Sequence, residues 1–337
     1  MVSMKDIAKR CNVSVATVSK ALNGYSDIGK AKRDEIQAAA KEMGYFPNSS
    51  ARALKTNRSY DLGILFADNL HSGLTHDYFA AILDSFKVTA ESKGYDITFT
   101  SMNMVANRRM SYYEHCRYRG LDGVVIANID FTTSEVLELV RSTLPVVTID
   151  FVFDGRVAIV SDNVKGMKDL VDHVVRMGHQ KIAYIHGDNN SVTRDRLSSF
   201  YRTLEEHNIT IPDSYIKASR YRDGETTEKR MEELLDLPDR PTCVFMPDDF
   251  SAVGGYSAAQ ERGLRIPEDI SIVGYDGIPM SQALFPKLTT LKQDTKQIGK
   301  KAAEELTSLI ENPKTTLIEK ILVDGYLLEG ASVRKLN

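Results

Sequence analysis

The sequence predicts an α/β protein in two parts, an N-terminal three-helix domain of the helix-turn-helix type and a larger body of two lobes with parallel sheets. Three observations predict this class. Two short helical segments meet at a tight turn before residue 25, short apolar runs alternate with amphipathic helices from residue 61 onward, and positive charge is concentrated near the N-terminus. A helical cluster followed by alternating strands and helices is typical of a small domain attached to a doubly wound body.

The first two helices are marked by their capping residues. Ser3 caps the first helix, and Asp6 at its third position reaches back as the capping-box partner. Asn12 tolerates the left-handed conformation of a tight turn, and Ser14 caps a second helix over 15–22. Two helices joined by so short a turn are typical of a motif in which the second helix reads DNA bases.

The second helix has an inward and an outward face. Val18 and Leu22 are four residues apart and face inward. The others lie on the surface from which a recognition helix reads bases: Val15, Ala16, Thr17, Ser19 and Lys20. A third helix over 30–43 stops at Gly44. A plain helical-bundle fragment is the alternative, and the small polar second helix disfavours it.

Charge is distributed unevenly along the chain. Residues 1–58 carry 11 Lys and Arg against 5 Asp and Glu, a net charge of +6, and the rest carries 32 against 41, a net charge of −9. This asymmetry suggests a polyanion-binding module on an acidic body. On charge alone, a solvated basic helical face would explain it equally well.

The body alternates strands and helices. Apolar runs predict strands at 62–67, 95–100, 123–127, 146–149, 181–185, 242–246 and 271–274, with helices such as 78–93 and 253–262 between them. Continuous apolar strands joined by helices indicate parallel sheets buried on both faces. The length favours two doubly wound lobes with a cleft at the carboxyl ends of their strands.

Other classes of protein are disfavoured by what the sequence lacks. There is no apolar signal segment and no run near the roughly 18 apolar residues of a membrane span, so we expect a cytoplasmic protein with no membrane partner. A free sugar-binding transport protein would carry a signal peptide and lack the basic helices. Cys11, Cys116 and Cys243 are too scattered for a disulfide framework or a metal site, and we expect reduced thiols.

An enzyme is the remaining competing class. The sequence contains no phosphate loop, zinc-protease helix or nucleophile-elbow motif. The adjacent pair Asp248-Asp249 is weak evidence for catalysis, because neighbours at one strand end face different ways. We therefore expect no enzymatic activity and no cofactor beyond a small-molecule effector.

Spaced motifs run through nearly the whole chain. In the N-terminal part they are Met4-Lys5-Asp6-Ile7-Ala8, Val13-Ser14-Val15-Ala16-Thr17-Val18-Ser19-Lys20-Ala21-Leu22-Asn23 and Gly44-Tyr45-Phe46-Pro47-Asn48. In the body they are Asp162, Gly166, Gly178-His179-Gln180-Lys181-Ile182-Ala183, Arg196, Phe200, Asp248-Asp249, Ile270-Ser271-Ile272-Val273-Gly274-Tyr275-Asp276, Leu288-Thr289-Thr290 and Gln293. These motifs resemble the lac repressor/galactose repressor family of bacterial transcriptional regulators.

The resemblance implies a domain plan and a set of partners. It implies a DNA-binding domain at 1–47, a hinge helix and linker at 48–59, and at 60–337 an effector-binding and dimerisation domain with the type I periplasmic-binding-protein fold. Lobe 1 is then expected at about 60–159 plus 288–318, and lobe 2 at about 160–287 plus 319–337. The implied function is a repressor that binds a palindromic double-stranded operator as a homodimer under allosteric control by a small molecule.

The resemblance also assigns residues to DNA contact. Val15, Ala16 and Lys20 match positions that touch base edges, and Lys can donate to guanine while Val and Ala pack on thymine methyls. Positions that hold phosphates or the groove wall are matched by Ser14, Thr17, Ser19 and Asn23.

The segment 48–55 is too short to form a stable helix alone, and we expect it to fold on DNA. Ser49 and Arg52 are assigned there to DNA contact. The resemblance implies that Leu54 wedges between base steps in the minor groove, and the neighbouring small Ala51 and Ala53 would let two hinge segments approach. Alternatively, Leu54 only anchors the linker to the body.

The effector cleft follows from the resemblance in the same way. Arg196 matches an effector-gripping arginine, Asp276 a hydroxyl acceptor and Asp248 a position usually occupied by Asn. The set is completed by the aromatic wall Tyr221, the opposing pair Tyr78 and Phe79, and the polar residues Asp150 and Gln293. Carboxylates that accept from hydroxyls beside aromatic faces suit a sugar or sugar derivative.

Three of these assignments have a structural alternative. Arg196 could be a buried ion-pair partner, and Tyr78 and Phe79 could be plain core. The acid at Asp248 adds a charge where an amide is usual, which leaves the ligand class open. His179 follows Gly178 and is predicted to cap a helix C-terminus, not to act as a ligand or base.

Overall fold

A computed structural model describes residues 2–22, 24–46, 58–67, 73–100, 104–105 and 108–336. The chain divides into two compact units, Met1–Tyr60 and Asp61–Asn337. The first is helical and the second contains two largely parallel six-stranded sheets. The predicted fold class is confirmed.

The N-terminal unit contains α1 (Met4–Arg10), α2 (Val15–Leu22) and α3 (Lys30–Glu42). The Asp6 carboxylate accepts from the Ser3 backbone N–H at 2.8 Å, which fixes the start of α1. Asn12 has a φ of 50° in the turn, as its position predicts. All three predicted helices are confirmed, and their core is made of buried residues from each of them: Ile7, Ala8, Cys11, Val18, Ala21, Ile36, Ala39 and Ala40.

Each lobe of the body is defined by one sheet. The lobe 1 sheet is parallel throughout, in the order β13-β7-β6-β5-β1-β2. Its strands are β1 (Asp61–Phe66), β2 (Asp96–Phe99), β5 (Gly123–Ala127), β6 (Val146–Ile149), β7 (Val157–Ser161) and β13 (Lys320–Val323). A separate antiparallel pair is formed by β3 (Met104–Val105) and β4 (Arg108–Arg109).

The lobe 2 sheet has the order β14-β12-β11-β10-β8-β9 and is parallel except for β14. Its strands are β8 (Ile182–His186), β9 (Ile216–Ala218), β10 (Cys243–Phe245), β11 (Ser271–Asp276), β12 (Thr289–Lys292) and β14 (Tyr326–Leu328). In both lobes the central strands are buried along their length and only partly exposed at some strand ends, as predicted for sheets covered by helices.

The covering helices are divided between the lobes. Lobe 1 carries α4 (Asp77–Ser92), α5 (Tyr112–Arg119), α6 (Ser134–Arg141) and α11 (Thr295–Glu311). Lobe 2 carries α7 (Asn163–Arg176), α8 (Ser191–Glu206), α9 (Gly224–Leu235) and α10 (Ala252–Glu261). The close packing of α4 and α11 requires Gly299, because a Cβ there would lie 2.2 Å from the Ile82 carbonyl oxygen.

The predicted lobe limits are wrong in two places. The prediction put 288–318 in lobe 1 and 319–337 in lobe 2. Strand β12 instead pairs with β11 in lobe 2, and β13 pairs with β7 in lobe 1. The chain therefore crosses between lobes after β7, β12 and β13. Strands of both lobes have the same apolar pattern, so only their pairing assigns them.

The buried His179 in the body serves the fold. The N–H of Gly178 donates to the Val175 carbonyl at 2.9 Å and that of His179 to the Val174 carbonyl at 3.3 Å, which is the pattern of a glycine-terminated helix end. Burial lowers the pKa of His179 to about 4, so the ring is neutral.

The cysteines are free and buried, as the sequence predicts for reduced thiols: Cys11, Cys116 and Cys243. Within the described ranges, no helix is long and apolar enough to cross a membrane.

Candidate nucleic-acid interface and ligand cleft

The outer face of α2 presents the residues that the sequence assigns to DNA. Ser14, Val15, Ala16 and Lys20 are exposed, whereas Thr17 and Ser19 are half-buried. Val18 and Ala21 have no exposed surface, and Leu22 is partly buried against the same core. The helix is therefore anchored on one face and leaves small side chains and one long cation on the other.

Ser14 and Thr17 are tied to each other at the start of α2. The Ser14 hydroxyl accepts from the Thr17 N–H at 3.1 Å, and the two hydroxyl oxygens are 2.9 Å apart. This capping bond fixes the first turn of α2, and the first turn of a helix is where proteins commonly bind phosphate oxygens.

Lys20 has a partner that the sequence did not predict. Its ammonium lies 2.5 Å from the carboxylate of Asp27, in the segment between α2 and α3. Both side chains remain about half exposed, at 49% and 52%. The hydrogen bond from Lys20 lowers the pKa of Asp27, so both groups are charged. No spacing rule in the sequence links these two positions, because the turn brings them together.

Asn23, Ser49, Arg52 and Leu54 lie outside the described residues. Their assignments to DNA contact stay predictions, as does the hinge helix.

On the lobe 2 side of the cleft, Arg196 is almost completely buried, with 3% of its surface exposed. Its Nε donates to Asn163 Oδ1 at 2.8 Å and its Nη1 to the Pro247 carbonyl at 3.3 Å. Its Nη2 lies 4.0 Å from Asp276 Oδ1, and its Cζ lies 3.4 Å from the Tyr275 ring centroid. The guanidinium is thus held in one orientation by groups of lobe 2.

Asp276 ends β11 with a φ of 110°, which directs its carboxylate out of the strand. Its Oδ1 accepts from Gln293 Nε2 at 2.7 Å. Burial raises the pKa of Asp276 to about 7, while Arg196 lowers it and Asp248 raises it further. The predicted hydroxyl acceptor is therefore next to both Arg196 and Gln293.

Tyr221 lies against the same part of lobe 2. Its hydroxyl is 2.7 Å from Thr193 Oγ1. Gly187 leaves room for its ring, because a Cβ at that glycine would lie 2.5 Å from ring atoms. The fixed ring can serve as the aromatic wall that the sequence predicts.

Lobe 1 contributes Asp150 and Tyr78. The Tyr78 hydroxyl donates to Asp150 Oδ2 at 2.8 Å, and the Ser161 N–H donates to Oδ1 at 3.3 Å. Burial raises the pKa of Asp150, and its charge also raises the pKa of Asp276 across the cleft. Carboxylates from the two lobes therefore repel one another.

Phe79 is mainly a core residue. Its ring packs on Phe66 at 5.6 Å, on Tyr78 at 5.0 Å and on His76 at 4.9 Å between centroids. Only 8% of its surface is exposed. A supporting position behind Tyr78 fits these contacts, and direct contact with a ligand stays a prediction.

Asp248 accepts three hydrogen bonds within lobe 2. Its Oδ1 accepts from the Ser251 N–H at 2.7 Å, and its Oδ2 accepts from the Arg222 N–H at 2.7 Å and from Ser251 Oγ at 2.9 Å. A carboxylate satisfies all three donors, whereas an amide has one acceptor oxygen. This explains why an acid occupies a position at which the family resemblance predicts Asn.

The neighbouring Asp249 points elsewhere. It accepts from Thr290 Oγ1 at 2.6 Å and from the Ile278 N–H at 2.9 Å and has no exposed surface. The two acids therefore brace different loops, and the assignment of Asp248 to effector contact stays a prediction. Across the described part of the chain, no group of three or more His, Cys, Asp or Glu side chains is placed to hold a metal ion.

Two family models match the chain. Residues 3–48 match "Bacterial regulatory proteins, lacI family", and residues 171–333 match "Periplasmic binding protein-like domain". The two matches fall on the helical unit and on the body, respectively.

Curated relatives match over the full length. A protein of Bacillus subtilis (strain 168) named "Probable HTH-type transcriptional repressor ExuR" is 32% identical over 341 residues, covering 100% of both chains. The "HTH-type transcriptional repressor PurR" of Klebsiella pneumoniae is 30% identical over 339 residues, covering 99% of this chain and 97% of its own.

Solved structures share the fold. A lac repressor dimer bound to operator and the anti-inducer ONPF superimposes with a TM-score of 0.81 at 24% identity, over 99% of both chains. A LacI family regulator from Enterococcus faecium with bound ribose has a TM-score of 0.70 at 24% identity, over 82% of this chain and 100% of its own.

Proposed function

The chain belongs to the lacI family of bacterial regulatory proteins, and from that membership we propose that it is a repressor controlled by a small molecule bound between its two lobes. Like its relatives, it is a DNA-binding transcriptional regulator and not an enzyme. We propose that it binds a palindromic operator as a homodimer. A regulator of this kind acts on chromosomal DNA and therefore in the cytoplasm.

The observation that carries the effector proposal is the position of Arg196 beside Asp276, opposite Asp150. The guanidinium is buried and oriented, and acids from both lobes meet it at the carboxyl ends of their strands. Ligands of doubly wound folds bind at that edge. A molecule with several hydroxyls can donate to both acids at once and so relieve their repulsion.

The ligand class that this cleft fits is a sugar or sugar derivative. Hydroxyls would donate to Asp150 and Asp276, a ring oxygen or hydroxyl would accept from Arg196, and the C–H face would pack on Tyr221. The ribose bound by a solved relative of the same fold is in keeping with this class.

A thermal-shift screen of neutral sugars, sugar acids and purines against the full chain tests the cleft. A ligand at 100 times its Kd should stabilise the protein by about 2.7 kcal/mol. The same ligand should leave the melting temperature of the Asp276→Ala variant unchanged, while the exposed Asp84→Ala variant serves as the control. A sugar that stabilises the Asp276→Ala variant fully would contradict the assignment of the cleft.

The operator is tested by selection from a random DNA pool. The enriched sequence should be a palindrome, because a two-fold symmetric dimer presents two copies of α2 to two half-sites. Enrichment of a single asymmetric site would contradict the proposed mode of binding.

Apolar side chains on lobe 2 support the dimer. Phe285 is 96% exposed, and Phe250 and Val253 are exposed at the start of α10. The Tyr256 hydroxyl donates to the Pro286 carbonyl at 2.8 Å, which ties α10 to the segment that carries Phe285. A second copy of the chain is the occupant that the proposed two-fold operator requires.

Sedimentation of the Phe285→Glu variant tests this surface, with the exposed Tyr118→Glu in lobe 1 as the control. We expect Phe285→Glu to shift the protein toward monomer. A dimer of unchanged stability would place the interface elsewhere.

A further inference from the structure

Arg222 is held in place by the rest of lobe 2. It follows Tyr221 in the segment between β9 and α9 and has a φ of 55°, a left-handed conformation uncommon for a residue with a side chain. Its N–H donates to Asp248 Oδ2 at 2.7 Å. Its guanidinium carbon lies 4.5 Å from the centroid of the Phe250 ring. The backbone and the head group are thus both fixed from the lobe 2 side.

The same guanidinium reaches lobe 1. Its Nη1 lies 3.6 Å from Oδ2 of Asp77, the first residue of α4. The Arg222 side chain is 12% exposed and that of Asp77 is 49% exposed. Each partner is next in sequence to a predicted aromatic residue of the cleft, Tyr221 or Tyr78. The ion pair therefore crosses between the lobes beside the proposed effector site.

We propose that Arg222 is a positioning residue that holds the two lobes closed over the cleft by pairing with Asp77. Because Arg222 is fixed within lobe 2, opening of the cleft must carry Asp77 away from it and break the pair. The inference rests on the proposed function only in taking the cleft between the lobes as the effector site.

The ion pair opposes a repulsive force in the same cleft. Asp150 belongs to lobe 1 and Asp276 to lobe 2, and the charge of Asp150 raises the pKa of Asp276. The repulsion between the two acids favours opening, whereas the attraction of Arg196 for Asp150 and the Arg222 ion pair favour closure. A balance of this kind lets a ligand with modest differential affinity shift the population of the two states.

Because of this balance, Arg222 and Asp77 influence how sensitive the protein is to its effector, although neither residue needs to contact the effector. Weakening the ion pair should lower the closed population and so the apparent affinity of any ligand that binds the closed form. Residues of this type differ from the hydroxyl acceptors, whose loss would remove ligand binding altogether.

The test measures the distance between lobes in the full chain without ligand. Spin labels on Lys93→Cys in lobe 1 and Glu268→Cys in lobe 2, both exposed sites, report the distance by pulsed electron resonance. The native cysteines are buried, and dilution with unlabelled protein removes distances between protomers. Asp77→Asn and Arg222→Gln are then compared with the charge-matched controls Asp84→Asn and Arg220→Gln, which change exposed residues.

We expect each of the two test variants to raise the ratio of open to closed protein about two- to five-fold, the range of a partly exposed ion pair. The double variant should open no further than either single one, and the exchanged pair Asp77→Arg with Arg222→Asp should restore part of the closed population. The controls should not change the ratio.

An unchanged distance distribution in both test variants, with melting temperatures near that of the parent, would overturn the inference. So would equal opening in the Arg220→Gln control. Because no ligand is present, these outcomes are independent of the ligand screen, and failure of that screen would contradict the proposed function alone.

Discussion

The guanidinium carbon of Arg196 lies 3.4 Å from the ring centroid of Tyr275, one residue before Asp276 on the same strand. Neighbouring residues on a strand point to opposite faces. Here the φ of 110° at Asp276 turns its carboxylate toward the guanidinium that Tyr275 supports. One strand end therefore supplies both the stacking platform and the counter-ion for Arg196.

This arrangement predicts different results for two substitutions of Arg196. Arg196→Ala should abolish the ligand response and destabilise the fold by about 3 kcal/mol, because it leaves Asp276 buried without its cation. Arg196→Lys keeps the charge but loses the planar stacking and the directed bonds, so it should retain stability better than ligand binding. Denaturant unfolding and ligand titration measure the two effects. Equal ligand affinity in Arg196→Lys and the parent would contradict the stated role.

The pH dependence of stability follows from Asp276. Its pKa of about 7 in the folded protein exceeds the ordinary value of 3.8, so the folded state holds this proton more tightly than the unfolded state. Stability is then greatest below pH 4 as far as this group is concerned and falls as the pH rises toward 7. The charged and titratable groups that face it are Arg196, Asp150, Asp248, Asp249, Tyr78, Tyr221 and Tyr275.

Urea unfolding between pH 5 and 8 should therefore show a steeper loss of stability in the parent than in Asp276→Asn. The difference should be on the order of 1 to 3 kcal/mol over this range, since one pKa unit corresponds to about 1.4 kcal/mol. Identical slopes in the two proteins would show that Asp276 is ionised throughout.

Elements with local signals could be predicted from the sequence. The helices α1 to α3 could be predicted because residues within the segment itself mark their ends: Ser3, Asn12, Ser14 and Gly44. Continuous apolar runs likewise predicted seven strands, which are β1, β2, β5, β6, β8, β10 and β11. The inner strands β7 and β12 were not predicted. Strands β13 and β14 carry half-exposed and exposed residues at the sheet edges, so they lack that run. Their pairing depends on the chain crossing between lobes.

Residues of the site divide in the same way. The spaced motifs pointed to Arg196 and Asp276, which the structure brings together. Asn163, which accepts from Arg196 Nε, lies 33 residues away in sequence, and Asp77 lies far from Arg222. Such pairs arise only from the packing of α7 on α8 and of one lobe against the other. No periodic pattern in the sequence predicts contacts between residues so far apart in the chain.

The acid at Asp248 predicts a stability cost for the more usual amide. Asp248→Asn replaces one acceptor oxygen with an NH₂ group that faces an N–H or hydroxyl donor. We expect a loss of about 1 to 3 kcal/mol in the free energy of unfolding, the cost of a buried unsatisfied polar group. Ser251→Ala, which removes one donor, should partly compensate in the double variant. Full stability in Asp248→Asn alone would contradict this account.

Lys20 is predicted to carry base discrimination. It extends from the exposed face of α2, whereas Lys5 and Lys30 lie on the other two helices and contribute general attraction to phosphates. Lys20→Ala should cost about 1 to 3 kcal/mol at one position of each half-site and relax the preference there. Lys30→Ala should weaken operator and random DNA alike. Equal loss on both DNAs for Lys20→Ala would remove its assigned role.

The contact between Lys20 and Asp27 predicts that loss of the acid raises DNA affinity, whereas loss of Lys20 lowers it. Asp27 holds the Lys20 ammonium and places a negative charge beside the surface that meets DNA, so it lowers attraction to phosphates of any sequence. Asp27→Asn should therefore raise affinity for random DNA up to about ten-fold, steepen its salt dependence, and lower the ratio of operator to random affinity. Asp34→Asn in the second turn of α3 makes the same change in net charge without touching Lys20 and should preserve that ratio. Titration of both variants on operator and scrambled duplexes at several salt concentrations measures each quantity. A higher ratio in Asp27→Asn than in the parent would mean that the acid does not hold Lys20 back from phosphates.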